Sequence, residues 1–237
     1  MRSAVYNLLR EAQQKMSGYA VYMNYQFIHF SVVAEPAALL AVEVEIDNTP
    51  LNLEDVADVA VPEETQFALI PKDQSYLFPI CKAVGKVHPD YKIEQKPLNE
   101  ENEDSDEEEK YVLCTMPAVN KDRRDAGMDY VKTVYEETMS QLDTVNAAYT
   151  AKIGKLLINA KPEELDEAKD ELKKLHDNHV DICKNYRDEK ETQLEEAYQK
   201  YLQAESEKES AEQEKQAARG QDAGKQMSMD AWATEEE

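Results

Sequence analysis

The sequence predicts an α+β protein, in which an elongated three-helix bundle carries a small, β-rich α/β domain inserted between its first and second helices. Three observations predict this fold. Apolar residues at helical spacing occupy the first 30 residues and most of residues 117–200. Short β-prone runs separated by turn-forming residues fill the segment between. Pro162 interrupts the second helical region, which divides it into two consecutive antiparallel helices.

The first helix is predicted over residues 4 to about 30, where the apolar positions recur at three- and four-residue steps. Its second half is rich in aromatic residues. These apolar positions are Val5, Leu8, Leu9, Ala12, Met16, Tyr19, Met23, Phe27 and Phe30.

The inserted domain is predicted over residues 34–116. Its β-prone runs lie at residues 40–46, 56–61, 67–70 and 111–114, and residues 77–87 form a short helix among them. The two links to the bundle contain Pro36 and Pro117, which predict semi-rigid hinges because proline fixes one backbone angle. The bundle then comprises residues 1–33 and 117–204.

The two long C-terminal helices are separated at residues 161–162. A helix of nearly 40 residues follows Pro117, and Pro162 suits the first turn of the next helix. That last helix carries an apolar stripe to about Leu202, beyond which Glu, Gln, Lys, Ala and Gly dominate. Residues 205–237 are therefore predicted to form an acidic, frayed or disordered tail.

The charge balance is strongly acidic, with a formal net charge of −23 over 237 residues. Because nucleic-acid affinity comes largely from Lys and Arg displacing condensed cations, this balance argues against direct nucleic-acid binding through a broad surface. The acidic loop predicted at residues 98–110 holds eight acids between residues 100 and 109. Such a run is a solvated loop or, alternatively, a nucleic-acid mimic that binds a basic partner.

Several classes of protein are excluded by what the sequence lacks. No segment approaches the apolar length of about 20 residues that a membrane helix needs, and the first residues lack a secretory signal pattern, so we expect a cytoplasmic protein without a membrane partner. Three widely spaced cysteines predict reduced thiols. The chain has six glycines and no phosphate loop, nucleophile elbow or zinc-protease motif, which predicts a non-enzyme without a cofactor.

Two further features can each be interpreted either as structural or as functional. His176, His179 and Cys183 share one helical face with metal-ligand spacing, but no second cluster completes the shell, so we predict core packing and no metal site. Trp232 is the only tryptophan and lies in the acidic tail near Met227 and Met229. It is either a docking anchor for a partner or part of an inert tail.

Several different short motifs follow one another along the chain. The long central helix opens with K-D-R-R at residues 121–124 and ends with K-I-G-K-L-L at residues 152–157. Upstream are R-E-A-Q-Q-K-M at 10–16, T-P-L at 49–51, D-Q-S at 73–75 and I-C-K-A-V at 80–84, and downstream is K-E-T-Q-L at 190–194. In this order the motifs resemble the ribosome recycling factor family over most of residues 1–200.

The resemblance implies a role in translation. In that family the bundle occupies the ribosome between its subunits, and the second domain works with elongation factor G to split the particle after termination. The family's central helix grips ribosomal RNA with an R-N-V-R-R-D-A-like block, whereas this chain reads D-T-V-N-A-A-Y at residues 143–149. Asp143, Asn146 and Ala147 therefore stand at the arginine positions, and residues 31–36 also lack the basic turn of the family.

These departures leave two hypotheses for function. The first is a divergent recycling-factor-like protein that acts in or derives from translation and contacts the ribosome or a translation GTPase such as elongation factor G. Its candidate contact residues are Lys121, Arg123, Arg124, Lys132 and Trp232. This hypothesis includes a true recycling factor whose RNA contacts have moved elsewhere on the surface. The second is an acidic adaptor that kept the fold, binds a basic protein and never meets a ribosome.

Overall fold

The computed structural model describes residues 3–98 and 109–233; for His29 and residues 214–233 it describes the backbone alone. Three long helices form the bundle: α1 (Ser3–His29), α4 (Lys121–Leu156) and α5 (Pro162–Ala233). α4 packs along both α1 and α5, and α1 also packs on α5. Their shared core contains fully buried Met16, Tyr149 and Leu172. This arrangement confirms the predicted α+β class with a helical bundle.

A second hydrophobic core lies in the segment between α1 and α4. A short 3-10 helix (Pro36–Leu39) leads into the hairpin of β1 (Glu43–Ile46) and β2 (Thr49–Asn52), followed by a single helical turn, α2 (Leu53–Val56). The remaining elements are β3 (Ala57–Glu63), β4 (Gln66–Pro71), a 3-10 turn (Gln74–Tyr76), α3 (Leu77–Val87), β5 (Lys92–Pro97) and β6 (Lys110–Thr115).

Four of these strands form one antiparallel sheet in the order β3-β4-β6-β5. α3 packs against β1 and β6, and it buries Ile80, Ala83 and Val84. β5 and β6 are successive strands of a hairpin, because Pro97 pairs with Lys110 and the Leu98 amide donates to the carbonyl of Glu109. The predicted acidic loop therefore connects these two strands, and its residues 99–108 lie outside the described residues.

Local sequence explains how α4 begins and where the next helix starts. The side chain of Asn120 accepts a hydrogen bond from the Arg123 amide at 2.9 Å, which satisfies one of the amides left open at a helix start. α4 ends at Leu156, and Pro162 opens α5, a position where its missing amide costs nothing. The predicted break at residues 161–162 lies in this turn.

The structure corrects several predicted boundaries. The first β-prone run pairs only from Glu43, and Val56 belongs to α2 instead of a strand. β2 and β5 were not predicted, because β2 holds one apolar residue beside its proline and β5 holds only Ile93 among charged and polar residues. α5 continues to Ala233, past the predicted fraying near Leu202. Residues with high helix propensity extend a helix that is already nucleated, even without an apolar stripe.

At Gly127, α4 lies close to Leu194 of α5 and to Phe30. A Cβ atom at this position would lie 2.7 Å from Leu194 Cδ2 and 2.7 Å from Phe30 Cε1. Leu194 is fully buried and has little room to move. Gly154, in the same helix, would place a Cβ with nothing within 4 Å. The two glycines therefore separate the effects of helix propensity and packing.

We expect Gly127→Ala to destabilise the protein, because overpacking costs about 1–3 kcal/mol and exceeds a propensity gain of about 1 kcal/mol. Gly154→Ala brings the gain in helix propensity without overpacking, so it should stabilise the protein by about 0.5–1 kcal/mol. Urea unfolding of both variants and the parent chain measures the difference. Equal stability of the two variants would mean that Leu194 and Phe30 move aside without cost.

Candidate partner-binding surface on the central helix

The basic cluster at the start of α4 is already engaged within the chain. Arg123 donates from Nη1 to Asp90 Oδ2 at 2.7 Å, and Asp90 belongs to the inserted segment. Its guanidinium carbon lies 5.7 Å from the centre of the Phe30 ring. Its Nε atom is buried and has no hydrogen-bond partner among the described residues. Arg123 therefore connects the bundle to the inserted segment instead of facing solvent.

Arg124 is held in the same way by α5. Its Nε and Nη2 atoms donate to Glu195 Oε2 at 3.0 and 2.9 Å, and Nη1 donates to Asp125 at 2.8 Å. Its guanidinium also lies over the Tyr198 ring at 5.5 Å. The hydrogen bonds that Arg124 donates to Asp125 and Glu195 raise the pKa of Arg124 above its usual value. Two carboxylates thus already neutralise this arginine.

The surviving basic positions do not form a single stripe on α4. An ideal helix turns by about 100° per residue, so Lys121, Arg124 and Lys132 fall on one side. Lys121 and Lys132 are exposed. By the same spacing, Arg123 and Lys152 fall on the opposite side of the helix. Lys152 lies over the Tyr149 ring, with its Nζ atom 4.1 Å from the ring centre.

Carboxylates dominate the outward face of α4. Asp122, Asp129, Glu136 and Asp143 follow one another at intervals of seven residues, which returns to nearly the same side of a helix after two turns, and all four are exposed. Of the four, only Asp143 was singled out from the sequence, although the spacing is visible there. Such a stripe repels phosphate groups and attracts cationic side chains.

The three residues at the family's arginine positions lie in the region of this acidic stripe. Asp143 is 73% exposed at its side chain, and its Oδ1 atom is 2.9 Å from His176 Nε2 on α5. Ala147 is exposed and Asn146 is half-buried. Asp143 and Ala147 line a shallow groove of about 560 Å³ that also contains Tyr135. None of the three supplies a cation.

Of the sequence-predicted histidine and cysteine group, His179 and Cys183 are buried, whereas His176 is half-buried and contacts Asp143 and Asp177. His179 is buried, its Nδ1 atom lies 2.6 Å from the Leu175 carbonyl, and its Nε2 atom lies 3.0 Å from Ser17 Oγ. A carbonyl can only accept, so Nδ1 carries a proton and neither ring nitrogen is open to a metal. Burial raises the pKa of Cys183 to about 11. Among the residues whose side chains the structure describes, no cluster of three potential ligands has metal-binding geometry.

The two predicted hinge prolines lie where the bundle meets the inserted segment. Pro36 occupies the first turn of the 3-10 helix, and Pro117 lies between β6 and α4. Beside them, the Ala34 amide donates to Glu64 at 2.6 Å and the Met116 amide donates to Thr65 at 2.8 Å. Lys200 of α5 pairs with the Glu64 side chain. α5 therefore touches the inserted segment directly.

Lys190 is a buried lysine on α5 that no pattern in the sequence indicates. Its residue exposure is 6%, and its Nζ atom donates to Gln193 Oε1 at 3.3 Å. Burial lowers the pKa of Lys190 to about 8, and the nearby Glu35 opposes this shift only in part. The sequence gives little indication that this lysine is buried, because α5 carries lysines on all of its faces.

We expect Lys190→Met to stabilise the protein at pH 7 by up to about 3 kcal/mol, because the parent chain then buries a charge that its unfolded state keeps in water. The folded pKa of about 8 lies below the usual 10.5, so the parent chain loses this penalty as pH rises between those values. The stability difference measured by urea unfolding should therefore shrink from pH 7 to pH 10. Lys184→Met, at an exposed position of α5, is the control, and the same shrinking difference there would contradict the assignment to Lys190.

Two predicted contact elements are described only in part. The backbone at Trp232 continues α5, and its side chain lies outside the described residues, as does most of the acidic loop. No helix in the described ranges combines the length and apolarity needed to cross a bilayer.

Comparison with known proteins identifies the family of this chain. The family model described as ribosome recycling factor matches residues 28–194, more than half of the chain. The ribosome-recycling factor of Cutibacterium acnes is 25% identical over 181 residues, which span 76% of this chain and 89% of that protein. The corresponding factor of Clostridium tetani is 26% identical over 161 residues, which span 68% of this chain and 81% of that protein.

Solved structures show the same fold. A solution structure of the ribosome recycling factor aligns with a TM-score of 0.67 and 18% identity, covering 83% of this chain and all of that one. The T. thermophilus ribosome recycling factor, described with E. coli elongation factor G on the post-termination complex, aligns with a TM-score of 0.53 and 19% identity, covering 80% of this chain and 98% of that one. By the family match over residues 28–194, this chain belongs to the ribosome recycling factor family.

Proposed function

We propose that this chain acts in translation as a divergent, non-enzymatic recycling-factor-like protein whose central helix contacts protein in place of RNA. Family membership and the shared fold support the link to translation. The related T. thermophilus factor is described with elongation factor G on a post-termination complex. By analogy, the partners proposed here are a ribosomal particle and a translation GTPase in the cytoplasm.

The acidic stripe on α4 is the observation that supports protein contacts over RNA contacts. Binding to a phosphate backbone requires cations that release counterions, and this face presents four carboxylates in their place. Arg123 and Arg124 are engaged with Asp90 and Glu195, so they are poor candidates for RNA contact. Lys121 and Lys132 remain the exposed basic candidates.

The proposed mechanism keeps the predicted division of the chain. Residues 1–33 and 117–204 act as the bundle, residues 34–116 act as the second domain, and residues 205–237 form an acidic extension with Trp232 as a docking anchor. The two separate hydrophobic cores support this division. Pro36 and Pro117 would then be the hinges between the domains.

The second candidate function is an acidic adaptor that binds a basic protein away from the ribosome. The same α4 stripe favours it, because an outward row of carboxylates needs no ribosome to attract cationic side chains. The two candidates differ in whether a ribosomal particle is bound, so an experiment can separate them.

The test is sedimentation of the tagged protein from a native lysate through sucrose gradients at low and at moderate salt. The proposal expects co-migration with ribosomal particles that weakens less steeply with salt than binding through several phosphate contacts would. Migration in light fractions with a defined companion would favour the adaptor instead.

A charge-reversal variant sharpens the result. Lys121→Glu with Lys132→Glu removes the exposed basic candidates without touching the internal contacts of Arg123 and Arg124. Retained co-migration supports protein contacts, whereas its loss assigns the interaction to these two lysines. Reversal of Arg123 and Arg124 would be a poorer test, because it breaks their pairs with Asp90 and Glu195.

A further inference from the structure

β3 forms an outer edge of the four-stranded sheet, with β4 on one side only. The Lys72 amide donates to the Val56 carbonyl, and Ala57 then pairs with Pro71 in register. Because backbone groups alternate between the two sides of an antiparallel strand, those of Ala57 and Val59 turn away from β4. The Ala57 amide donates to Leu53 instead, whereas Val59 presents its N–H and C=O at the sheet edge.

The two halves of this edge are protected differently. In the second half, Pro62 lacks an amide and the register shifts between Ala60 and Glu63, both of which hinder the addition of another strand. The first half has neither device. Its exposed charged side chain is Asp58, which repels an acidic strand, including that of a second copy of this chain.

An apolar groove of about 560 Å³ adjoins the open half of the edge. Leu39, Leu53 and Val59 line it together with Leu40, which is 67% exposed. Its charged lining residues are Glu54 and Asp58, and no basic side chain is among the residues that line it. An extended segment that paired with Val59 would therefore lie beside an apolar groove that carries negative charge.

We propose that the β3 edge and this groove bind an extended segment of a partner protein as an added strand. An apolar side chain of that segment fills the groove beside Leu40, and flanking Lys or Arg side chains meet Glu54 and Asp58. Main-chain pairing supplies affinity and the groove supplies specificity, as in other strand-addition sites. The site lies apart from the central helix and stands independently of the proposed translation role.

The probe for the test is a synthetic seven-residue peptide that alternates valine and arginine, blocked at both ends. Its control has the same sequence with N-methyl groups on the amides of one edge, which removes strand pairing and keeps the charge. Amide hydrogen exchange and chemical shifts of the labelled full chain report the site. We expect the Val59 amide to be protected and its neighbours in β3 to shift, with affinity for the methylated peptide lower by about tenfold or more.

Leu40→Glu separates apolar contact from simple charge attraction. The added carboxylate should strengthen binding of a basic peptide if charge alone governs it, whereas the proposal predicts a loss of about tenfold or more. Ile158→Glu adds the same charge at a residue that is 77% exposed in the α4–α5 turn, and it should bind like the parent chain.

Three results would overturn the proposal. They are equal affinity for the methylated peptide, shifts confined to the acidic faces of α4 and α5, and a dimer of the free protein that already protects Val59.

Discussion

Phe67→Ala is expected to lower the stability of the inserted domain by about 3–5 kcal/mol while the helical bundle keeps most of its own stability. Phe67 is fully buried at the centre of the second core, on the strand β4. Its ring stacks on Tyr91 with 6.3 Å between centroids. Truncation leaves a cavity beside Tyr91 in the second core, and Phe67 is not part of the bundle core.

The reciprocal variant is Leu142→Ala, at a fully buried position of α4 in the bundle core. Its expected cost is about 2–5 kcal/mol, confined to the bundle. Hydrogen exchange of the β4 and β6 amides measures the stability of the second core, and exchange of the α4 amides measures the stability of the bundle core. If each variant accelerates exchange in both sets of amides equally, the chain unfolds as one unit and the proposed domain division is wrong.

The contacts between the bundle and the inserted segment decide how independently the two cores unfold. They include the Arg123–Asp90 and Lys200–Glu64 ion pairs and the two amide bonds near Glu64 and Thr65. The side chains of the Lys200–Glu64 pair are more than 60% exposed, and exposed pairs contribute little. Arg123 is only 21% exposed in its pair with Asp90, and Ile28 of α1 packs against the second core, so we expect partial coupling, with each variant acting mainly on its own core.

The predicted fold agrees with the structure where apolar periodicity is strong. α3 matches its predicted residues 77–87, and Pro162 divides α4 from α5. β2 and β5 cannot be predicted from their own residues, because they form strands through pairing with the neighbouring strands β1 and β6. β1 and β2 turn through Asp47 and Asn48, which both have positive φ, the backbone that a two-residue hairpin requires. β5 is a polar edge strand, where charge is favoured and hydrophobic alternation is weak.

The candidate site was predictable only in its residue types. The absence of arginines at residues 143–147 and the seven-residue acid spacing can both be read from the sequence. The internal engagement of the surviving arginines cannot, since Arg123 binds a residue 33 positions away and Arg124 binds one 71 positions away. Contacts at such separations are set by the packing of helices, which composition and local spacing do not specify.

Restoring cations to α4 is expected to create a binding site for RNA. The variant Asp143→Arg with Asn146→Arg and Ala147→Arg replaces one carboxylate and two neutral groups by three guanidinium groups, a change of four charge units. If all three contact phosphates, the logarithm of affinity should fall with the logarithm of salt concentration by a slope about 2 units steeper, since each contact adds about 0.7 for a single strand. At low salt we expect an affinity gain of about tenfold or more.

Fluorescence anisotropy with a labelled single-stranded RNA over a potassium chloride series measures both the affinity and the slope. The matched control is Glu207→Arg with Glu209→Arg, which also changes the charge by four units but lies at exposed positions of α5 beyond the bundle. If both variants gain equally, net charge governs RNA binding and the identity of the α4 face is irrelevant. A gain confined to the α4 variant means that the residues at positions 143, 146 and 147, and not net charge, decide whether this face of α4 binds RNA.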